Sequence, residues 1–229
     1  MMKKLNQQLV LAALSIALFI NCESEDAVRP SASTSLESVG FVGVLPNGGT
    51  FGSEGVVASN SLGVAASSAD GTFLYHLLSI DDTMSGITIR LELPHLKYSD
   101  EFGVVNNDEE RAEAAKTYDF PKVKNQLIVG EKLLLSSQEQ NPAQAFRVLV
   151  VDQKNYHGFT SEGTLDQTGS YLTVLEQIEG TETHPTLGAV KSLEVVFGVK
   201  VNVAPSDTNP IQQTSALEGV LRMKYVEQE

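Results

Sequence analysis

The sequence predicts an all-β fold, an antiparallel β-sandwich, with a closed β-barrel as the alternative. Apolar and polar residues alternate over several stretches, most clearly in KSLEVVFGVKVNV at 191–203. A period of two is typical of antiparallel strands that have one face in the core and the other in water. Short turn signals separate many such stretches, as in sandwiches and barrels. No internal repeat of 20–50 residues is visible, which disfavours a solenoid or a propeller.

Three stretches assign an inward face by their alternation. The inward positions are Leu193, Val195, Phe197, Val199, Val201 and Val203 in 191–203; Ile87, Ile89, Leu91 and Leu93 in 86–93; and Leu217, Leu221, Met223 and Tyr225 in the closing stretch. Less regular strands are expected near 38–45, 50–58, 62–67, 72–80, 126–136, 145–152, 158–165 and 170–179. Pro46-Asn47-Gly48-Gly49 and Asp166-Gln167-Thr168-Gly169 are among the turn signals between them.

One short surface helix is predicted near 108–117, on the long connection between the strands. Asn107 is followed three residues later by Glu110, a spacing that resembles a capping box. Acidic residues lead this stretch and Lys116 closes it, which complements the helix dipole. The stretch has no apolar face beyond alanines, so we expect it to lie on the surface.

The first 21 residues have the pattern of an export signal. Lys3 and Lys4 precede a run of apolar residues at 9–20 that contains only Ser15 as a polar member. A membrane-spanning helix needs about 20 apolar residues, so this run is too short to cross a bilayer permanently. A basic start, a short apolar core and an abrupt polar end are typical of a signal peptide.

Cys22, the only cysteine of the chain, stands directly after this run and before Glu23, Glu25 and Asp26. This arrangement resembles the signal of bacterial lipoproteins of the Bacteroidota type, with a relaxed lipobox that has Asn21 before the cysteine. The resemblance covers residues 1–22 and the acidic cluster. It implies that Cys22 is acylated and that the acidic residues sort the protein to the outer face of the outer membrane. A lone cysteine in an exported chain has no partner for an intramolecular disulfide, which agrees with this interpretation.

The chain therefore divides into a signal peptide at 1–21, a lipidated tether rich in serine and acidic residues at 22–37, and a single all-β domain at 38–229. The formal charge is −13. Since the signal carries two lysines and no acid, the remainder carries −15. Nucleic-acid binders need a basic surface, so this charge excludes nucleic acid as a partner. The expected attachment to the membrane is through the N-terminal lipid.

No catalytic constellation is present, and we expect no enzymatic activity, no cofactor and no metal. The four histidines, His76, His95, His157 and His184, never form a close pair, whereas zinc sites usually show a short local spacing. Gly-x-Ser-x-Gly, phosphate-binding loops and calcium loops are missing from the sequence. Acidic residues are so abundant that a nearby pair of carboxylates would have no diagnostic value.

Two short features are candidate sites. Tyr156 and His157 lie in a turn-like context, and their rings are candidates for a ligand-binding face. Thr83 lies within Asp82-Thr83-Met84, which resembles the O-glycosylation site of exported Bacteroidota-type proteins.

The expected function is therefore a non-enzymatic binding or assembly role at the cell envelope, with a glycan or another envelope protein as the partner. A carbohydrate-binding or glycan-processing accessory lipoprotein is the alternative. A carrier of a small apolar ligand inside a barrel lumen is a further alternative.

Overall fold

In a computed structural model, the chain has the predicted all-β, sandwich-like fold. The structure describes residues 36, 38–49, 51, 64–67, 73–97, 107, 109–110, 120–136, 145–161, 165–186, 188–206 and 214–227. These residues belong to a compact unit that spans Ser33–Glu229. In this part of the chain, the structure contains no helix of the length and apolar character needed to span a bilayer.

The strands and the helix are short to moderate in length, except for one long hairpin near the C-terminus. In chain order they are β1 (Gly40–Val44), β2 (Val64–Ser67), β3 (Phe73–Asp82), β4 (Ile87–Glu92), β5 (Leu96–Lys97), α1 (Phe120–Gln126), β6 (Arg147–Asp152), β7 (His157–Thr160), β8 (Tyr171–His184), β9 (Gly188–Pro205) and β10 (Ser215–Val226).

These strands form two antiparallel sheets that share one strand. Sheet A has the order β1-β10-β9-β8, and sheet B has the order β7-β6-β4-β3-β2, with β5 also paired to β3. The last residues of β9, Ala204 and Pro205, pair with β7 and thereby join the sheets. Among the described strands, β1 and β2 end this path and do not pair with each other. The sheet is therefore not closed, and the barrel alternative is wrong.

The predicted inward faces form the core. Every inward position predicted in 191–203 is fully buried, and those predicted in 86–93 and in the closing stretch are also buried. Tyr225 of β10 contacts the ring of His76 on β3 at 5.9 Å between centroids, and that of Phe120 on α1 at 6.4 Å. The inner faces of the two sheets thus meet each other and the helix.

The predicted strand at 126–136 is wrong. Helix α1 continues to Gln126, and the residues after it form only isolated bridges, from Lys132 to Thr173 and from Leu135 to Phe146. Phe120, Val123 and Leu127 are all buried, and their spacing of three and four residues puts them on one side of a helix. This helical spacing, in a segment of only seven residues, was hidden by the apolar run that follows it.

The predicted helix near 108–117 is supported at its start. Glu109 and Glu110 are helical, and the N–H of Glu110 donates to Oδ1 of Asn107 at 2.9 Å. Asn107 therefore caps this turn as its spacing predicted. The rest of the predicted helix and most of the predicted strand at 50–58 lie outside the described residues.

Candidate functional site

Three turns meet at one end of the sandwich and form what we call the tip surface, residues 46–49, 83–86 and 153–157. Nδ2 of Asn47 donates to Oδ2 of Asp152 at 2.7 Å and thereby connects the first turn to the third. The N–H of Gln153 donates to the carbonyl of Gly86 at 2.8 Å, and Nζ of Lys154 donates to the carbonyl of Met84. The three turns consequently hold one another in place.

Two buried aspartates fix the turns from below. Asp82 and Asp152 end strands β3 and β6, and they are only 2% and 3% exposed. Oδ1 of Asp82 accepts the N–H of Met84 at 3.0 Å. Asp152 accepts the N–H of Asn155 at 3.0 Å and the side-chain amide of Asn155 at 2.8 Å, in addition to that of Asn47. Each carboxylate thus accepts a backbone N–H of the turn that follows it and stabilises that turn.

The hydrogen bonds that Asp152 accepts also lower its pKa. Burial by itself would raise the pKa of this carboxyl, but the hydrogen bonds from Asn155, Asn47 and Lys154 outweigh burial and hold the pKa below its usual value. An ionised acceptor with several donors around it is a poor proton acceptor at neutral pH. The geometry therefore gives Asp152 a role in shaping the tip surface.

The exposed side chains of the tip surface are large and partly apolar. Tyr156 is 92% exposed and has a φ of 58°, the positive value that side chains other than glycine rarely adopt. Met84 is 60% exposed on the neighbouring turn. His157 and Thr83 are also exposed. A strained, solvated aromatic residue on a rigid turn has no packing role among the described contacts, so its ring is available to a ligand.

The tip surface can stack, donate hydrogen bonds and make apolar contacts. Tyr156 offers an aromatic face and a hydroxyl, Met84 a polarisable thioether, and His157 an imidazole. Within the described ranges, no group of three or more histidine, cysteine, aspartate or glutamate side chains is arranged to hold a metal ion. The exposed groups of the tip surface are thus an aromatic ring, a thioether and an imidazole on three turns that are fixed to one another.

A second cluster lies on the outer side of sheet B, and the sequence did not predict it. Oε1 of Glu92 accepts from both Arg147 and His95, and Nη2 of Arg147 lies 3.3 Å from Nε2 of His95. The Tyr75 ring stacks on His95 with 4.7 Å between centroids and 20° between planes. The strand register that sets Glu92 opposite Arg147 creates this cluster. No local spacing in the sequence announces it.

This cluster is an ion pair with an aromatic cover. Burial would raise the pKa of Glu92, but hydrogen bonds and charges from His95 and Arg147 outweigh it and hold the pKa below its usual value. The carboxylate, the imidazole and the guanidinium are 15%, 12% and 21% exposed. Glu92 and Arg147 are thus paired with each other across β4 and β6. The cluster lies at the end of β4, before the chain continues along β3 as β5.

The structure places the other predicted residues as follows. Cys22, Glu23, Glu25 and Asp26 lie outside the described residues. Thr83 lies exposed in the turn between β3 and β4, next to the buried Asp82.

Comparison of the chain with protein-family models, with curated proteins and with solved structures found no match.

Proposed function

We propose that this chain is a lipid-anchored protein at the outer face of the bacterial outer membrane, and that its β-sandwich acts by binding rather than by catalysis. The observation that carries the ligand-binding part is Tyr156, which is 92% exposed at a positive φ on a turn fixed by the buried Asp152. The anchor part is supported by Cys22, the only cysteine, between an apolar run and an acidic cluster.

The membrane attachment through acyl chains explains a lone cysteine in an exported chain. A single acyl chain holds a protein to a bilayer only marginally, whereas two or more hold it stably. The tether then links Cys22 to Leu36, where the described part begins. Leu36 follows Cys22 by fourteen residues, and even a fully extended chain of that length spans at most about 50 Å, so the domain would remain near the bilayer.

Metabolic labelling with an alkyne fatty acid tests the anchor. The wild-type protein should carry the label and float with membranes, and the Cys22→Ala variant should do neither, because the acceptor sulfur is gone. A Thr83→Ala variant is the matched control and should retain both the label and the membrane association. Labelling of the Cys22→Ala variant, or an unlabelled wild type that floats with membranes, would contradict the anchor.

A glycan is the ligand class that the tip surface favours, since an exposed tyrosine ring can stack on the apolar face of a sugar. The neighbouring Met84 and His157 add apolar contact and hydrogen bonding at the same end of the sandwich. An envelope protein is the other proposed partner. A carrier role with a ligand in a barrel lumen is less favoured, because the described strands do not close into a barrel.

Affinity electrophoresis through gels that contain bacterial envelope polysaccharides tests the glycan proposal. The wild type should be retarded, Tyr156→Phe should retain most of the retardation, and Tyr156→Gly should lose it together with the ring. The free energy of unfolding of the Gly variant should also be higher than that of the wild type by about 1 kcal/mol, because glycine relieves the strain of the positive φ. The variant should therefore unfold at a higher denaturant concentration. The Ile178→Ala variant, altered at an exposed residue of β8, is the control for retardation.

The two measurements on the Gly variant separate binding from folding. A loss of stability in Tyr156→Gly would give the ring a structural role and contradict its assignment to a ligand. Equal retardation of wild type and Tyr156→Gly in every polysaccharide would remove the glycan proposal.

A further inference from the structure

The exposed apolar side chains of this protein are distributed unevenly. Of nine large hydrophobic residues that are exposed in the described part, Met84 and Tyr156 belong to the tip surface. The other seven lie on the outer face of sheet A or beyond its β8 edge. Val42 and Val44 of β1 alternate with the buried Phe41 and therefore face outward. Sheet B contributes only two turn residues to this set, Met84 between β3 and β4 and Tyr156 between β6 and β7.

Leu175 shows how β8 contributes to this face. It stands at the irregularity between Val174 and Glu176, where the register with β9 shifts. Its side chain lies 3.5 Å from the position that a Cβ on Gly198 would take, so it covers the outer face of β9. Leu175 and Ile178 are nevertheless 40% and 38% exposed.

The turn beyond β8 presents branched aliphatic residues to solvent. The N–H of Glu131 donates to the carbonyl of Ile128 at 3.1 Å and closes the turn. The N–H of Gly130 donates to the carbonyl of Val174 at 2.8 Å and fixes the turn to the sheet edge. Ile128 and Val129 are 48% and 52% exposed at this turn, and Leu134 shortly after it is 50% exposed. Tight turns usually carry Gly, Pro, Asn, Asp or Ser, so two aliphatic side chains at a fixed turn are unusual.

The same segment is locally basic in an acidic chain. Residues 120–136 contain Lys122, Lys124 and Lys132 against the single acid Glu131, a sum of +2 along the sequence in a chain of −13. Lys124 is paired with Glu179 of β8 at 2.6 Å, so the lysine closest in sequence to Leu134 is Lys132. Lys132 is exposed and pairs with Thr173, an outward residue of β8. Aliphatic side chains with lysines beside them are typical of surfaces that enter the boundary between lipid headgroups and acyl chains.

The chain enters the described part on this same side. Nη1 of Arg222 donates to the carbonyl of Leu36 at 2.6 Å, and Arg222 is opposite Gly40 and Val196, all on the outward side of sheet A. The distance across the sheet from β1 to β8 is three strand spacings, about 14 Å. Cys22 precedes Leu36 by fourteen residues, which span at most about 50 Å, so this side of the domain is within reach of the proposed lipid.

We propose that a lipid bilayer covers a patch formed by Ile128, Val129, Leu134 and Leu175, with Lys132 meeting the headgroup phosphates. This inference rests on the proposed lipid anchor, which would hold the domain at the membrane. The anchor supplies proximity, and the patch selects which face of the domain meets the lipid. The β8 edge of sheet A consequently lies against the bilayer.

Fluorescence from a single label tests the patch. Once Cys22 is acylated, a cysteine introduced elsewhere is the only free thiol, because the chain has no other. The lipidated full-length protein is extracted, labelled with an environment-sensitive dye at Val129→Cys, and reconstituted into vesicles of phosphatidylethanolamine and phosphatidylglycerol. Thr83→Cys, at the exposed turn on the tip surface, is the matched control.

The expected result is blue-shifted emission at position 129 and about twofold quenching by nitroxide-bearing lipid, since interfacial residues enter the boundary by roughly 5–10 Å. The label at position 83 should show neither effect. Adding a Lys132→Glu change to Val129→Cys should reduce the quenching at position 129, because the phosphates would then meet a negative charge.

Flotation of the same vesicles separates the two proposals. Protein that floats without quenching at position 129 overturns the patch and leaves the anchor intact. Protein that fails to float overturns both. A blue shift that is insensitive to nitroxide lipid and grows with protein density would identify a second copy of the chain as the occupant, and would also overturn the proposal.

Discussion

At the scale of single residues, two glycines allow the backbones of β1 and β10 to approach closely in sheet A. Gly43 of β1 is opposite Gly219 of β10. A Cβ on Gly219 would lie 2.2 Å from the carbonyl oxygen of Val42, and one on Gly43 would lie 2.1 Å from that of Glu218. The obstacle is backbone in both cases, so neither strand can yield without moving. The Phe41 ring lies against Gly219 and fills the space that a side chain would otherwise take.

We expect Gly219→Ala to destabilise the protein by about 1–3 kcal/mol, because the strands must separate to admit the methyl group. Gly198→Ala is the control on the neighbouring strand, where the nearest atoms are 3.5 Å away and belong to the Leu175 side chain. Alanine there should be neutral or slightly stabilising, since glycine weakens a strand interior. Urea unfolding followed by circular dichroism measures both changes. Equal stability of the two variants would show that the strands are free to shift.

At the scale of elements, the long hairpin of β8 and β9 is tied to β10 by ion pairs on its outer face. Arg222 donates to Glu194 at 2.5 and 2.8 Å, and Lys224 lies 3.3 Å from Glu194 and also contacts Glu182. Burial would raise the pKa of Glu194, but Arg222 and Lys224 outweigh it and hold the pKa below 4.5. Burial would lower the pKa of Lys224, but Glu182 and Glu194 outweigh it and hold the pKa above 10.5.

These shifts define a pH window for the stability that the ion pairs contribute. The contribution of Glu194 is present above its unfolded pKa of 4.5 and is lost as the pH falls through the lower folded value. That of Lys224 is present below 10.5 and is lost as the pH rises through the higher folded value. Glu194→Gln should therefore cost about 1 kcal/mol at pH 7 and almost nothing at strongly acidic pH.

Denaturant midpoints of wild type and variant at several pH values measure this difference. Glu218→Gln is the matched control, since its partner Lys200 lies 3.6 Å away and both side chains are nearly half exposed. We expect a smaller effect there, below about 0.5 kcal/mol. A constant gap between wild type and Glu194→Gln down to acidic pH would assign the effect to packing instead of charge.

Most strands could be predicted from the sequence because their residues alternate with a period of two. Helix α1 and the full lengths of the strands could not. The prediction of 170–179 fell short of β8, which continues to His184, because after Val174 the strand leaves the core and loses its alternation. Helix α1 has too few turns to establish a helical period. Contacts with distant residues stabilise it, such as those from the Gln177 amide to the carbonyls of Lys124 and Leu127 at 3.1 and 2.8 Å.

At the scale of the whole molecule, the sites depend on strand order, which a sequence does not display. The turn at Tyr156 and its exposed ring could be predicted locally. The contact of Asn47 with Asp152 could not, since it needs three turns to converge from distant parts of the chain. The same holds for Glu92 and Arg147, which meet only through the register of β4 and β6.

The net charge of the whole chain does not show how charge is distributed along it. A charge of −13 predicts repulsion from anionic surfaces, yet residues 120–136 sum to +2 along the sequence, with Lys124 paired to Glu179 of β8, and carry exposed aliphatic side chains. Net charge governs the behaviour of a protein at long range, whereas local charge governs contact within about one Debye length, near 8 Å at physiological salt. An anchored domain is held at the distance where the local charge matters.

The position of β1 beside β10 also bears on the timing of folding. β1 is the first described strand and β10 the last, and they are neighbours in sheet A. The partner of β1 is therefore synthesised after every other described strand, and the loop that must close between them spans almost the whole described domain, so we expect folding to be slow. A chain of this design stays without its complete sheet while it emerges. That delay would suit the export that we propose, since an exported chain crosses the membrane before it folds.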